Sequence, residues 1–115
     1  MTVYGKRFID KHVIITGAGS PVGIGRGIAH RFAAEGAKVV VADVDRTGGE
    51  QVAAALAAQG GQARYSYCDV ASEDSIKQCV QEAVEVFGPV HVAVSNAGIS
   101  ETESSALEIS PAQWD

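Results

Sequence analysis

The feature that most constrains this chain is a glycine-rich segment between an apolar run and a helical pattern. Residues 13–16, which are apolar or β-branched, lead directly into residues 17–25, a stretch that contains four glycines. Apolar side chains then recur at Ile24, Ile28 and Phe32, the spacing of one helix face. In such a unit the glycines let the backbone turn tightly and approach a phosphate, whose charge the first helical N–H groups stabilise. The segment therefore predicts a pyrophosphate-binding turn.

The rest of the chain repeats this alternation of strand and helix. Nearly continuous apolar runs, which are typical of strands buried in a parallel sheet, predict strands over residues 11–16 and 38–42. Further strands are predicted over residues 62–68 and 90–94. Helical periodicity predicts helices over residues 23–35, 47–59 and 73–87, and the first turn of another near 111–115 after a loop at 95–105. The order βαβαβαβ with short links indicates an α/β domain with right-handed crossovers. We expect one domain over residues 1–115 that is interrupted in its last helix.

Each predicted helix has one apolar face that we expect to be buried. The inward residues are Ile24, Ile28, Ala29, Phe32 and Ala33, then Val52, Ala55 and Leu56, and finally Ile76, Cys79, Val80, Ala83, Val84 and Phe87. Glycines are expected to stop the helices at positions 36, 60–61 and 88. The Ser72 hydroxyl is placed to cap the third helix, with Glu73 and Asp74 favourable in its first turn.

Composition and charge exclude several classes of protein. The chain has 115 residues, 46 % of them hydrophobic, which is enough for one compact domain. The net charge is −5 and the basic residues are scattered, so we expect no nucleic acid and no anionic membrane as partner. No apolar run approaches the roughly 20 residues of a membrane span, and the amino terminus lacks the apolar core of a signal peptide. We therefore expect a cytoplasmic protein.

The cysteines and histidines lack the spacing of a metal or redox site. Cys68 ends a predicted strand and Cys79 lies on the inner face of a predicted helix, so both are expected to be reduced packing residues. His12, His30 and His91 are far apart in sequence. No metal site is predicted.

An acidic residue follows the second predicted strand. Asp43 is the first polar residue after that apolar run and lies 18 residues beyond Gly25. A dinucleotide-binding fold places an acid there to accept hydrogen bonds from the adenosine ribose. Such a carboxylate also repels a 2′-phosphate, so it predicts NAD in preference to NADP, although Arg46 lies three residues on. The alternative is that Asp43 or Asp45 only caps the second helix.

Together, the motifs at the strand ends resemble those of the short-chain dehydrogenase/reductase (SDR) family. The motifs follow four successive strands and are Thr16-Gly17 with Gly23-x-Gly25, Asp43, Asp69-Val70, and Asn96-Ala97-Gly98. The resemblance covers residues from about 6 to 115 and corresponds to the amino-terminal half of a family member. It implies a Rossmann-type doubly wound parallel sheet with strand order 3-2-1-4, of which this chain forms the βαβαβαβ half.

The resemblance also implies a role for each motif. In the family the glycine loop holds the pyrophosphate, which assigns that contact here to Thr16, Gly17, Gly19, Ser20, Gly23, Ile24 and Gly25. Asp43, followed by Val44, would take the adenosine ribose, and Asp69 and Val70 the adenine ring. Asn96, Ala97 and Gly98 would pack beside the cofactor and steady the central strand. The residues alone leave simpler roles open, in which Asp69 only caps a helix, Asn96 only satisfies a turn, or the glycine loop binds nothing.

Two positions depart from the family pattern. The family loop reads Thr-Gly-x-x-x-Gly-x-Gly, whereas here five residues separate Gly17 from Gly23, so Pro21 and Val22 amount to a two-residue insertion. Because Pro21 has no N–H to offer a phosphate, we expect the loop to differ in geometry. Ser95 also stands where the family usually has an asparagine.

The family's catalytic residues are a serine and a Tyr-x-x-x-Lys motif, in which the tyrosine transfers the proton. Tyr4, Tyr65 and Tyr67 are not followed by a lysine four residues on, so no catalytic residue is expected among these 115.

The resemblance implies an NAD-dependent oxidoreductase that moves hydride between nicotinamide and an alcohol or ketone, in a dimer or tetramer. We expect this chain to be inactive alone, and its fourth strand to expose an apolar edge. The alternatives are a non-catalytic dinucleotide-binding module and an S-adenosylmethionine-dependent methyltransferase.

Overall fold

The chain forms a four-stranded parallel sheet with helices on both faces. The structure is a computed structural model that describes residues 5–20 and 22–98. Its elements are β1 (His12–Thr16), α1 (Ile24–Ala34), β2 (Lys38–Asp43), α2 (Arg46–Ala58), β3 (Gln62–Tyr67), α3 (Glu73–Phe87) and β4 (Val92–Val94). The strand order is β3-β2-β1-β4, and every pairing is parallel. The predicted fold class and strand order are therefore confirmed.

Some predicted elements lie outside the described residues. These are the loop beyond residue 98 and the helical turn near 111–115. Tyr4 and Pro21, which the sequence analysis also singled out, lie outside the described residues as well. The boundaries of the other elements differ from the predictions by one or two residues, the usual uncertainty of helix and strand ends. The largest difference is in β4, which begins at Val92, two residues later than predicted.

The central strands β1 and β2 are buried on both faces, as their apolar runs predict, whereas β3 and β4 are exposed or half-buried at most positions. Successive residues of a strand point to opposite faces, so Val13 and Ile15 join the core beneath α1 and α2. Ile14, between them, belongs to a second core that contains Cys79 and Ala83 of α3. Both cysteines lie in this second core and are unbridged. Burial, followed by the neighbouring Cys79, raises the pKa of the Cys68 thiol to about 11, so that thiol is protonated.

Two expected inward positions on the first two helices are wrong. Ile24 is 78 % exposed, because the first residue of α1 lies beyond the end of β1, where no strand remains beneath it. In α2 the buried face includes Ala53, while Ala55 is only half-buried. The expected cap of α3 is present: the Ser72 side chain accepts a hydrogen bond from Ser75 N at 3.2 Å.

The third helix buries less of its apolar stripe than predicted. Cys79 and Ala83 are buried, but Ile76, Val80 and Val84 are 38 %, 40 % and 42 % exposed. The period of 3.6 residues identifies the stripe correctly, but not how much of it the sheet covers. Here the sheet contacts only the Cys79–Ala83 side, so the other edge of the stripe faces outward among the described residues.

The carboxyl end of α1 is held by two ion pairs between the buried Glu35 carboxylate and exposed arginines. Glu35, the residue after the helix, is 1 % exposed in its side chain and accepts hydrogen bonds from both Arg7 and Arg31. The hydrogen bonds from Arg7 and then Arg31 lower the pKa of the Glu35 carboxyl to about 2. The lead-in segment is joined to α1 at this point, also through the Phe8 N–H to the Glu35 carbonyl at 3.0 Å.

In the part of the chain that the structure describes, no helix is both long and apolar enough to cross a bilayer. The same residues contain no group of three His, Cys, Asp or Glu side chains arranged to hold a metal ion.

Candidate dinucleotide site

The glycine segment lies at the carboxyl end of β1 and is packed against the residues that follow β4. Gly17 has a φ of +70°, and a Cβ atom there would lie 2.7 Å from Ala97 Cα. A Cβ atom on Gly25 would lie 2.5 Å from Asn96 Nδ2 and 2.9 Å from the Gly17 carbonyl oxygen. Both positions thus exclude a side chain, because the backbone segments touch. Packing within the chain therefore requires both glycines, and the approach of this loop to a phosphate stays a prediction.

A network of hydrogen bonds joins Thr16 to the turn after β4. Thr16 Oγ1 accepts hydrogen bonds from the N–H groups of Asn96 and Ala97, each at 3.1 Å. It also donates to the Val94 carbonyl at 3.4 Å. Asn96 Nδ2 in turn donates to the carbonyls of Thr16 at 3.1 Å and Gly17 at 3.2 Å. Asn96 thus does more than satisfy its own turn, because its amide holds the start of the glycine loop against the end of β4.

The amino-terminal end of α1 has no cap from a side chain. Its N-cap residue is Gly23, which has no side chain, and the first turn contains no acidic residue. The first helical hydrogen bond runs from Gly27 N to Gly23 O at 3.4 Å, so the N–H groups of Ile24, Gly25 and Arg26 precede it. Unpaired N–H groups at a helix start carry partial positive charge and favour an anion.

The described residues on either side of Pro21 keep the loop joined to the helix start. Ser20 Oγ accepts a hydrogen bond from Val22 N at 3.4 Å, and the Ser20 carbonyl accepts one from Gly23 N at 3.4 Å. The Val22 side chain is almost fully exposed. Ser20 is thereby held close to Val22 and Gly23, and the helix begins at Ile24.

Asp43 is the last residue of β2 and its carboxylate faces the glycine loop. Asp43 Oδ2 accepts a hydrogen bond from Gly19 N at 2.8 Å, and Oδ1 accepts one from Asp45 N at 2.9 Å. The cap of α2 is Asp45, whose Oδ1 accepts from Gly48 N at 3.0 Å. Asp43 is therefore not a helix cap. A carboxylate has about four acceptor positions, so two hydrogen bonds leave it further acceptor capacity.

Asp69 and Val70 follow β3 at the same edge of the sheet. Asp69 Oδ1 accepts from Ala71 N at 2.9 Å, and Asp69 N donates to Ser75 Oγ at 2.9 Å. Because Ser72 is the cap of α3, Asp69 does not fill that role. Val44 follows β2 and Val70 follows β3, and both side chains are about half exposed. The β3 end also lies next to Asp43, whose carbonyl accepts from Cys68 N at 3.2 Å.

The fold thus brings the predicted residues together at one edge of the sheet. Direct contacts link Thr16, Gly17 and Gly25 to Asn96 and Ala97, and Gly19 to Asp43. Ser20, Ile24, Ser95 and Gly98 lie at the exposed rim.

The model of the short chain dehydrogenase family matches residues 11–115. The chain belongs to this family. It is 39 % identical over 108 residues to a 3β-hydroxysteroid dehydrogenase of Mediterraneibacter gnavus, covering 94 % of this chain and 38 % of the relative. It is 36 % identical over 112 residues to a cyclohexanol dehydrogenase of an Acinetobacter species, covering 97 % of this chain and 44 % of the relative.

Solved structures of short-chain dehydrogenases have the same fold. A hydroxysteroid dehydrogenase from Escherichia coli superposes with a TM-score of 0.77 at 40 % identity, over 81 % of this chain and 39 % of that chain. A citronellol catabolism dehydrogenase of Pseudomonas aeruginosa superposes with a TM-score of 0.82 at 32 % identity, over 96 % of this chain and 44 % of that chain. The chain spans less than half the length of these relatives.

The sequence did not predict a group of residues that packs beneath Asp43 and the glycine loop, namely Gly48, Gly49 and Tyr65. A Cβ atom on Gly48 would lie 2.3 Å from the Gly19 carbonyl oxygen, and one on Gly49 would lie 2.2 Å from Tyr65 Cδ1. The Tyr65 hydroxyl donates to the Asp43 carbonyl at 2.7 Å. The available signal was a pair of glycines inside a helical pattern, which usually marks close packing. Tyr65 itself has no such signal, since its partner is 22 residues away.

Proposed function

We propose that this chain is the dinucleotide-binding part of an NAD(H)-dependent oxidoreductase that acts on an alcohol or ketone. The observation that carries the proposal is the uncapped start of α1, which lies beside a glycine loop that has no room for a side chain at Gly17 or Gly25. A dinucleotide pyrophosphate would supply the negative charge that α2 receives from Asp45 and α3 from Glu73 and Asp74. When bound, the nicotinamide supplies or accepts the hydride.

The individual residues have the following proposed roles. The pyrophosphate contacts are assigned to the loop and helix start, namely Thr16, Gly17, Gly19, Ser20, Gly23, Ile24 and Gly25. The adenosine contacts are assigned to Asp43 and Val44 for the ribose and to Asp69 and Val70 for the adenine. Asn96, Ala97 and Gly98 would border the cofactor. Support comes from their position at the carboxyl edge of a doubly wound sheet, where such folds bind their ligands.

We further propose that NAD is preferred to NADP. The Asp43 carboxylate is fixed by Gly19 N and Asp45 N and retains acceptor capacity for ribose hydroxyls. The same negative charge would repel the 2′-phosphate of NADP. Arg46, the nearby cation, is paired with Glu50 at 3.5 Å, which offsets its attraction for that phosphate.

The substrate class is proposed from the relatives, whose names describe dehydrogenases of a hydroxysteroid and of cyclohexanol. The described residues contain no Tyr-x-x-x-Lys motif, and we propose that these 115 residues bind the cofactor without turning over substrate. A homo-oligomer in the cytoplasm is the proposed assembly and location. Among the described residues, the outward apolar side chains of α3 offer surface for a second copy.

The test is a titration of the 115-residue chain with NADH and NADPH, followed by cofactor fluorescence. We expect tighter binding of NADH, and Asp43→Asn should weaken it by about tenfold or more, since hydrogen bonds to a charged group are involved. Asp45→Asn is the matched control: it removes a neighbouring charge, and asparagine caps helices as well as aspartate. Binding of S-adenosylmethionine in preference to NADH would overturn the proposal in favour of a methyltransferase, and no binding of NADH would overturn it outright.

A further inference from the structure

The main chain at Asp43 is held from below by Tyr65, a residue to which the proposed function assigns no role. The Asp43 carbonyl oxygen accepts two hydrogen bonds, from Tyr65 Oη at 2.7 Å and from Cys68 N at 3.2 Å. A carbonyl oxygen has two lone pairs, so both are used. The phenol hydrogen bond is the shorter of the two and the one that comes from a side chain.

The ring of Tyr65 is itself held in place from α2. A Cβ atom on Gly49 would lie 2.2 Å from Cδ1 and 2.3 Å from Cε1 of the ring, so the ring lies directly against the helix backbone. The Arg46 guanidinium is 5.5 Å from the ring centroid, within the range of a cation–π contact. With these neighbours, the hydroxyl has little freedom to move away from Asp43.

The same helix also contacts the glycine loop. Gly48 lies so close to the Gly19 carbonyl that a Cβ atom would be 2.3 Å from it. Gly19 N donates to the Asp43 carboxylate at 2.8 Å. One connected unit is therefore formed by the start of α2, Tyr65, Asp43 and the glycine loop. A movement of the Asp43 backbone within this unit would displace its carboxylate from Gly19 N, the group that donates to it.

We infer that Tyr65 is a positioning residue for cofactor selection, which acts through the Asp43 main chain to hold the carboxylate toward the adenosine ribose. The inference rests on the proposed function, because it needs a dinucleotide at this site. Burial raises the pKa of the Tyr65 hydroxyl, which is consistent with a phenol that stays protonated and donates. Tyr65 touches no reacting atom and is not a catalytic residue.

The test compares Tyr65→Phe with the wild-type chain and with Tyr67→Phe. Tyr67 lies two residues along β3 and is paired in register with Asp43, but its ring is half exposed, so it receives the same chemical change outside the unit. Tyr65→Phe should weaken NADH binding by about two- to tenfold, the range expected for one hydrogen bond. NADPH binding should change by less than about twofold, because a 2′-phosphate does not use the Asp43 carboxylate. The preference for NADH over NADPH should therefore fall.

A double variant separates positioning from general loosening of the fold. In an Asp43→Asn background, Tyr65→Phe should have no further effect on the NADH preference, because the charge being positioned is gone. Equal weakening of NADH and NADPH by Tyr65→Phe, or the same preference in Tyr65→Phe and Tyr67→Phe, would overturn the inference and leave the proposed function intact. A wild-type chain that binds no NADH would overturn the proposed function and this inference with it.

Discussion

The three helices begin at the same edge of the sheet, but their amino-terminal ends are built differently. The start of α2 is capped by Asp45, and the start of α3 is capped by Ser72 with Glu73 and Asp74 in its first turn. The start of α1 has Gly23 at the cap position, no side-chain hydrogen bond and no acidic residue. A side-chain cap contributes about 1 kcal/mol to stability. The chain thus satisfies the starts of α2 and α3 with its own side chains, and we propose that a bound anion satisfies the start of α1.

The opposite end of α1 shows how the helix is stabilised without that cap. Glu35 is buried between Arg7 and Arg31, and a basic residue in the last turn also suits the negative end of the helix. The two ends of α1 therefore differ: only the amino-terminal end lacks a stabilising side chain, while the carboxyl end is held by ion pairs.

The strongest test of this contrast concerns the space at the start of α1. Gly25→Ala places a Cβ atom 2.5 Å from Asn96 Nδ2 and 2.9 Å from the Gly17 carbonyl, so the loop and helix start must separate. NADH binding, measured by fluorescence titration, should weaken by about a hundredfold, or about 2.7 kcal/mol.

Gly27→Ala is the matched control for that variant. It lies in the same helix with nothing within 4 Å of the added atom, so binding should be unchanged. Stability should rise by about 0.5–1 kcal/mol, because alanine favours helix more than glycine does. Equal NADH affinity in the two variants would break the proposed link between the tight loop and binding.

A second prediction gives α1 the kind of cap that α2 has. Gly23→Asp supplies a carboxylate for the first helical N–H groups. Its Cβ atom would lie 3.0 Å from Ser20 Cβ, and the exposed Ser20 side chain must shift slightly, so urea unfolding should show a gain of at most a few tenths of a kcal/mol over glycine. The same charge should repel a pyrophosphate and weaken NADH binding by about tenfold. Stability and binding should therefore change in opposite directions.

Ser72→Ala is the complementary variant on α3. It removes the hydrogen bond to Ser75 N and should cost about 1 kcal/mol of stability, with NADH affinity unchanged. If Gly23→Asp left NADH affinity at the wild-type value, the start of α1 would not be the anion site.

The smallest expected effect concerns Glu35, at the carboxyl end of α1, and how the free energy of unfolding changes at acid pH. The pKa of Glu35 is lowered from 4.5 to about 2 by Arg7 and Arg31, so its contribution is complete above pH 4.5 and is lost as the pH falls toward 2. Glu35→Gln should therefore show a shallower decrease in unfolding free energy across pH 4.5 to 2, measured by urea unfolding at each pH. Glu50→Gln, at an exposed pair with Arg46, should keep the wild-type slope. An unchanged slope in Glu35→Gln would assign the acid sensitivity to other carboxyls.

Much of the site was predictable because its signals are local in sequence. A run of apolar residues before Gly17 and a helical pattern after Gly25 require a tight turn between strand and helix, whatever lies around them. Asp43 was likewise recognisable as the first polar residue after a buried strand. The cap of α3 at Ser72 follows from residue type alone. These signals depend on neighbours within a few positions along the chain.

Other features depend on what the folded chain brings together. The exposure of Ile24 and of Ile76, Val80 and Val84 was wrong in the predictions, because periodicity indicates which face is apolar but not what covers it. The open choice between Asp43 and Asp45 as the α2 cap needed the actual hydrogen bonds.

By itself, the sequence determined the order of strands and helices, the glycine turn and the acidic residue after β2, since each follows from backbone preferences and local periodicity. Only the tertiary structure decided that Asn96 holds the glycine loop, that Asp43 faces it, and that Tyr65 supports Asp43 from below. These contacts join residues that are 22 to 79 positions apart. Their geometry depends on how the parallel strands align at one edge of the sheet, which no local pattern encodes.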